Sequence, residues 1–141
     1  MHTEDIMNKI CINTRDELNL IDLDLVACIN ASGTYSNVLY IDGNKIMVSL
    51  GLSQFETIIK DAINKQGISN TFVRLGRSVI INNRYLRQIN ILKQKLTLSD
   101  RGTHAYQLTV PKNLLKNYKE LIRKSYIGDN KHSDKQNDDE V

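Results

Sequence analysis

Two arginines three residues apart dominate the segment Phe72-Val73-Arg74-Leu75-Gly76-Arg77-Ser78-Val79-Ile80-Ile81-Asn82. A guanidinium presents five donors in a rigid fork that suits phosphate oxygens or the O6/N7 edge of guanine. Read as a single strand, the segment puts Arg74, Gly76 and Ser78 on one side. Val73, Leu75, Arg77 and Val79 then share the other side, so Arg77 falls on an apolar face. That leaves two arrangements open: a buried Arg77 paired with a carboxylate, or a backbone bulge at Gly76 that turns the guanidinium outward.

Catalytic chemistry finds little material, and an enzyme is not expected. His2, His104 and His132 are scattered, no pair of them has a metal-ligand spacing, and there is no H-E-x-x-H. No serine stands in a G-x-S-x-G elbow, and neither phosphate-cradling glycine motif is present. Gly51, Gly76 and Gly102 stand alone and read as turn or bulge positions. Asp22 and Asp24 are two apart, which on a strand would put both carboxylates on one face, but a solvated turn is the simpler reading. Cys11 and Cys28 are too few and too apolar in setting for zinc or a disulfide framework, and read as two buried thiols in a reducing cytoplasm. No metal and no cofactor are expected.

Charge is distributed unevenly. The formal net charge of +3 over 141 residues conceals a stretch, residues 70–124, with 12 Lys and Arg against only Asp100 and Glu120. Residues 1–69 carry 5 Lys and Arg against 9 acids, and residues 125–141 carry 2 against 5. A solvated face normally mixes signs, so this asymmetry implies a polyanionic partner. No apolar run reaches the roughly 20 residues of a membrane helix. The start, MHTEDIMNKI, carries acids and lacks a signal core, so a cytoplasmic protein is expected.

The elements that must position these residues are mostly short strands. Ile10–Asn13, Leu18–Leu20, Leu25–Ile29, Thr34–Ile41, Lys45–Ser49, Thr71–Ile81, Leu86–Leu92, Lys95–Leu98 and Tyr106–Val110 are the β-prone runs. Asp42-Gly43-Asn44 between two of them is a hairpin signal, because Asp and Gly tolerate positive φ. Ser53–Lys65 has Phe55, Ile58, Ile59, Ala62 and Ile63 at helical period, with Ser53 and Glu56 as a capping box and Gly67 as a stop. A second helix starts at Pro111 and runs to Lys124 with the stripe Leu114, Leu115, Tyr118, Leu121 and Ile122. The expectation is one β-rich domain over residues 1–124 and a disordered, polar and acidic tail over 125–141.

The run F-V-R-L-G-R-S-V-I-I-N-N-R-Y-L-R-Q-I resembles the signature of the LytTR family of bacterial DNA-binding domains. The order of the other segments is similar too: I-N-A-S-G-T-Y-S-N-V-L-Y, the Asp42-Gly43 hairpin and the amphipathic helix upstream, then L-T-L-S-D and L-T-V-P-K with a basic helix downstream. The resemblance spans residues 9–124. It implies a mainly β, LytTR-like arrangement of small packed antiparallel sheets with one amphipathic helix and a C-terminal helix. It also implies sequence-specific binding of double-stranded DNA by a transcriptional regulator that reads the major groove through loops. By the resemblance, Tyr35, Arg77 and Lys112 read bases, while Ser36, Arg74, Ser78, Asn113 and Lys116 contact the DNA backbone or support the readers. Repeated half-sites, with a second copy on the same DNA, are expected, and no membrane partner.

Gly76 stands where the family often has histidine, Pro111 replaces a frequent serine, and Lys112 a frequent arginine, which alters base preference because lysine lacks the bidentate fork. With about ten residues before the first strand, a stand-alone regulator without a receiver domain is expected. The rival class is a non-enzymatic interaction module whose basic face binds an acidic protein or RNA. RNA binders expose stacking aromatics, and the stretch from Arg74 to Lys124 holds only Tyr85, Tyr106 and Tyr118.

Overall fold

The computed structural model describes residues 9–126. Strands β1 (Lys9–Asn13) and β2 (Leu18–Asp22) form an antiparallel hairpin in which Ile10, Ile12 and Ile21 point inward. The central sheet has five antiparallel strands in the order β5-β4-β3-β7-β6: β3 (Val26–Ser32), β4 (Tyr35–Tyr40), β5 (Lys45–Val48), β6 (Phe72–Leu75) and β7 (Val79–Asn82). A third sheet is the meander β8 (Leu86–Asn90), β9 (Lys95–Ser99) and β10 (Ala105–Thr109). Helix α1 (Leu52–Gln66) and helix α2 (Lys112–Ser125) complete the fold, with short 3-10 turns at Leu23–Leu25 and Asn83–Tyr85. The architecture is mainly β with three small antiparallel sheets and two helices, as the sequence implied.

The central sheet is covered on both faces. Ile29, Val38 and Ile80 pack with Phe55, Ile59 and Ile63 of α1 and with the β1–β2 hairpin. Cys28, Val79 and Ile81, their neighbours along the same strands, pack with Leu96, Leu98, Leu115 and Tyr118 on the other face. This two-sided burial is why β3 and β7 read as continuous apolar runs with no polar alternation.

Several local expectations change. Thr71–Ile81 is not one strand: the chain reverses at Gly76–Ser78, and β6 pairs back on β7 with Leu75 opposite Val79. Helix α1 is capped at Gly51, two residues before Ser53, with Gln54 Oε1 accepting from the Gly51 N–H at 3.3 Å. Ser53 Oγ and Glu56 Oε1 instead accept from the Arg74 guanidinium, at 3.4 and 3.1 Å. Gly67 does end α1, in the left-handed region at φ 68°. Pro111 is the N-cap of α2 rather than its first residue, and Leu121 is exposed rather than part of the buried stripe. The tail expected to be disordered lies, from residue 127 on, outside the described residues.

Cys11 is exposed and only Cys28 is buried, which corrects the expectation of two buried thiols. Cys11 lies on β1, whose outward positions alternate with Ile10 and Ile12. Burial is the main cause that pushes the Cys28 thiol up to about 11, partly offset by the Asn30 side chain. A thiol-exchange reagent at pH 8 therefore labels one cysteine per folded chain and two in denaturant, since the thiolate is the reactive form. Labelling of both in the folded protein would contradict this packing.

Asn82 ties the sheet to the first 3-10 turn. Its side-chain amide donates to Val26 O at 2.9 Å, and its Oδ1 accepts from the Arg84 N–H at 3.1 Å, while the residue is 1% exposed. Asn82→Ala leaves buried backbone groups unpaired and should cost about 1–3 kcal/mol in urea unfolding. Asn82→Asp should not restore it, because a carboxylate cannot donate to Val26 O.

Candidate nucleic-acid interface

Antiparallel order brings distant segments to one end of the central sheet. Strand β3 arrives there at Ser32 and β4 leaves at Tyr35, joined by Gly33-Thr34, with Gly33 at φ 62° as a tight two-residue turn requires. Strand β6 arrives at Leu75 and β7 leaves at Val79, joined by Gly76-Arg77-Ser78. The two turns are stitched together, because the Ala31 N–H donates to Ser78 O at 2.8 Å. Strand β5 also ends there, and α1 begins just after it.

Helix α2 reaches the same end. Gly76 has φ 65°, and a Cβ on it would meet Leu114 Cδ1 at 2.9 Å. Only glycine both adopts this backbone conformation freely and lets the first turn of α2 approach so closely. The turn carrying Arg77 is thus packed against the helix start carrying Lys112 and Asn113.

Arg77 is exposed at the hairpin tip and makes no hydrogen bond or ion pair among the described residues. Of the two arrangements left open, burial against a carboxylate is excluded, and the outward route is a full chain reversal rather than a bulge. Lys112 and Lys116 are exposed and one turn apart, so they share a face of α2. Pro111 gives no side-chain cap and the first turn of α2 has no acid, so cations crowd the positive end of a helix dipole. Such placement costs a few tenths of a kcal/mol or more and becomes favourable when an anion sits on the helix start. Tyr35 is 44% exposed beside these turns.

Other predicted residues lie elsewhere in the hierarchy. Ser36 is fully buried, and its hydroxyl donates to Leu50 O at 2.7 Å. It cannot reach a phosphate in this position; it fixes the strand behind Tyr35. Arg74 is held by Glu56 at 3.1 Å and by Gly76 O at 2.8 Å, so its charge is spent inside the protein. It clamps the first turns of α1 to the β6–β7 turn and sets the backbone from which Arg77 projects. Ser78 and Asn113 are exposed at this end. Neither the identity of Glu56 as the partner of Arg74 nor the Leu114–Gly76 contact is legible in the sequence, since contacts across 18 and 38 residues leave no local pattern.

No protein-family model matches the chain, and no curated protein sequence matches it. Its structure is similar to a solved LytTR DNA-binding domain from Bacillus cereus, with a TM-score of 0.56 and 17% identity, over 82% of this chain and 96% of that one. The chain has the LytTR fold. On this LytTR fold, the three segments singled out by the resemblance, around Tyr35, Arg77 and Lys112, meet at one end of the central sheet. Five other cations of the basic stretch, Arg84, Arg87, Arg101, Lys119 and Arg123, line a different surface. Arg84 pairs with Asp24 at 3.4 Å, and Arg87 donates to Leu86 O at 2.9 Å, on the side where β8 meets the far end of α2. The positive charge of residues 70–124 is thus spread over at least two separate surfaces. Among the described residues no cluster of His, Cys, Asp and Glu could hold a metal ion, and no helix is long and apolar enough to cross a membrane.

Proposed function

We propose that this chain is a sequence-specific, double-stranded DNA-binding transcriptional regulator that reads the major groove through turns instead of a recognition helix. The observation that carries the reading is the meeting, at one end of the sheet, of Arg77, Lys112 and Tyr35, with both cations unengaged among the described residues. The LytTR fold, shared with a protein described as a DNA-binding domain, supports it. Arg77 takes a guanine edge by its fork, Lys112 adds a single-point contact, and Tyr35 makes an apolar and hydroxyl contact. Ser78, Asn113 and Lys116 grip phosphates, while Arg74 and Ser36 hold the readers in place. Residues 1–124 are the binding domain and 125–141 an appended tail, acting in the cytoplasm without catalysis. Two copies occupy repeated half-sites.

Fluorescence anisotropy tests this with the duplex upstream of the chain's own gene against a scrambled duplex, from 50 to 300 mM salt. The reading expects selective binding that survives at the higher salt, since base contacts do not depend on counterion release as phosphate contacts do. Equal and steeply salt-dependent binding to both duplexes would instead favour an interaction module with a basic surface.

A further inference from the structure

A cleft of about 500 Å³ opens where β8 and the turn after β9 face the last two turns of α2. The volume lies in the range that accepts a small molecule. Its cations come from three separate elements: Arg87 from β8, Arg101 from the β9–β10 turn and Lys119 from α2. Arg84 and Arg123 also line it, with Asp24 and Glu120 as their own carboxylate partners. Apolar surface lies between the charges, from Leu86, Ile89, Ile122 and Tyr126.

Two features separate this cleft from an ordinary basic face. Arg101 is held in the left-handed region at φ 66°, a conformation that non-glycine residues seldom adopt. The turn is fixed by Asp100, which accepts from the Gly102 N–H at 2.7 Å and pairs with His104 at 2.9 Å, so Arg101 is presented on a built loop. The second feature is the mixed lining, because a phosphate backbone needs protruding cations and gains nothing from a half-buried aliphatic floor. The cleft also lies toward the far end of α2: Lys119 and Arg123 are 7 and 11 residues along the helix from Lys112, roughly 10 and 16 Å of helix axis.

We infer that this cleft is a binding site for a small organic anion, an apolar ring or branched body bearing one carboxylate or phosphate group. The body lies on Leu86, Ile89 and Ile122, and the anionic group meets Arg87, Arg101 and Lys119. The site stands independently of the DNA-binding reading, because none of its residues is among the proposed base readers.

Titration of the full-length ¹⁵N-labelled protein with phenyl phosphate, inorganic phosphate and phenol, followed by amide chemical shifts, tests the inference. Phenyl phosphate is expected to give saturable shifts confined to residues 84–89, 101 and 119–126, with phenol and inorganic phosphate at least about tenfold weaker. The double variant Arg87→Ala/Arg101→Ala should weaken phenyl phosphate about tenfold or more, as loss of charge-assisted hydrogen bonds requires. Lys119→Ala, an exposed helical position, gives an independent second variant, and circular dichroism melting verifies that each folds. Inorganic phosphate binding as tightly as phenyl phosphate would overturn the inference, as would shifts spread over every basic residue. Binding unchanged in both variants would overturn it as well. So would competitive displacement of phenyl phosphate by a DNA duplex, which would make the cleft part of the DNA footprint.

Discussion

Arg77→Ala should remove about 1–3 kcal/mol of discrimination between a selected duplex and a scrambled one, a loss of roughly five- to 150-fold in the specificity ratio. Its stability should stay within about 0.5 kcal/mol of the parent, because the side chain is exposed and makes no hydrogen bond or ion pair among the described residues. Arg77→Lys separates fork from charge. It should keep the salt dependence of binding but lose most of the discrimination, since an ammonium cannot make the bidentate contact. Lys112→Glu should act in opposite directions on the two properties. An acid at the start of α2 complements the helix dipole and raises stability by a few tenths of a kcal/mol, while repelling phosphate. Anisotropy and urea unfolding on the same samples check both. A Lys112→Glu protein that binds as well as the parent would remove Lys112 from the interface.

Gly76→Val should cost about 2–5 kcal/mol in urea unfolding, well above the roughly 0.5 kcal/mol usual for an exposed position. A β-branched residue at φ 65° bears the left-handed penalty of about 1–2 kcal/mol, and its Cβ intrudes on Leu114 with a further 1–3. Gly76→Ala should cost less, because the Leu114 methyl can move aside and only the backbone term remains in full. Gly76→Asn should be milder in its backbone term, since asparagine visits this region more readily. Where the protein stays folded, selectivity for DNA should fall as well, because the turn bearing Arg77 and the helix start bearing Lys112 are pushed apart. Stability unchanged in Gly76→Val would mean that the turn and α2 are not packed as described.

Much of this arrangement can be read from local chemistry, and the failures share a cause. Asp42-Gly43 turns a hairpin because Gly43 supplies φ 98°, and Asp42 Oδ1 accepts from the Asn44 N–H at 3.0 Å, both properties of the residues themselves. The apolar period of Phe55, Ile59 and Ile63 and the stop at Gly67 are likewise local. The chain reversal at Gly76 is not. Strand β7 is buried on both faces, so Val79-Ile80-Ile81 shows no alternation, and nothing marks where β6 ends and β7 begins. Ser36 looks like a surface serine in sequence, yet the carbonyl of Leu50, 14 residues away, satisfies its hydroxyl and lets it be buried. Read as one strand, the segment sets Arg77 on the apolar face and Arg74 on the polar one, yet Glu56 engages Arg74 and the chain reversal at Gly76 turns Arg77 outward. For the site, the residue types were legible, but their division between the sheet end and the cleft beside β8 required the fold.

Base reading by this end of the sheet is tested by selection of binding duplexes from a random library by the full-length protein, repeated with Arg77→Ala/Lys112→Ala. The parent pool should converge on a short motif, repeated about one helical turn apart as two copies on one face of DNA require. The variant pool should lose the motif while the variant melts like the parent. A parent pool that fails to converge, or a variant that selects the same motif, would contradict base reading by this end of the sheet.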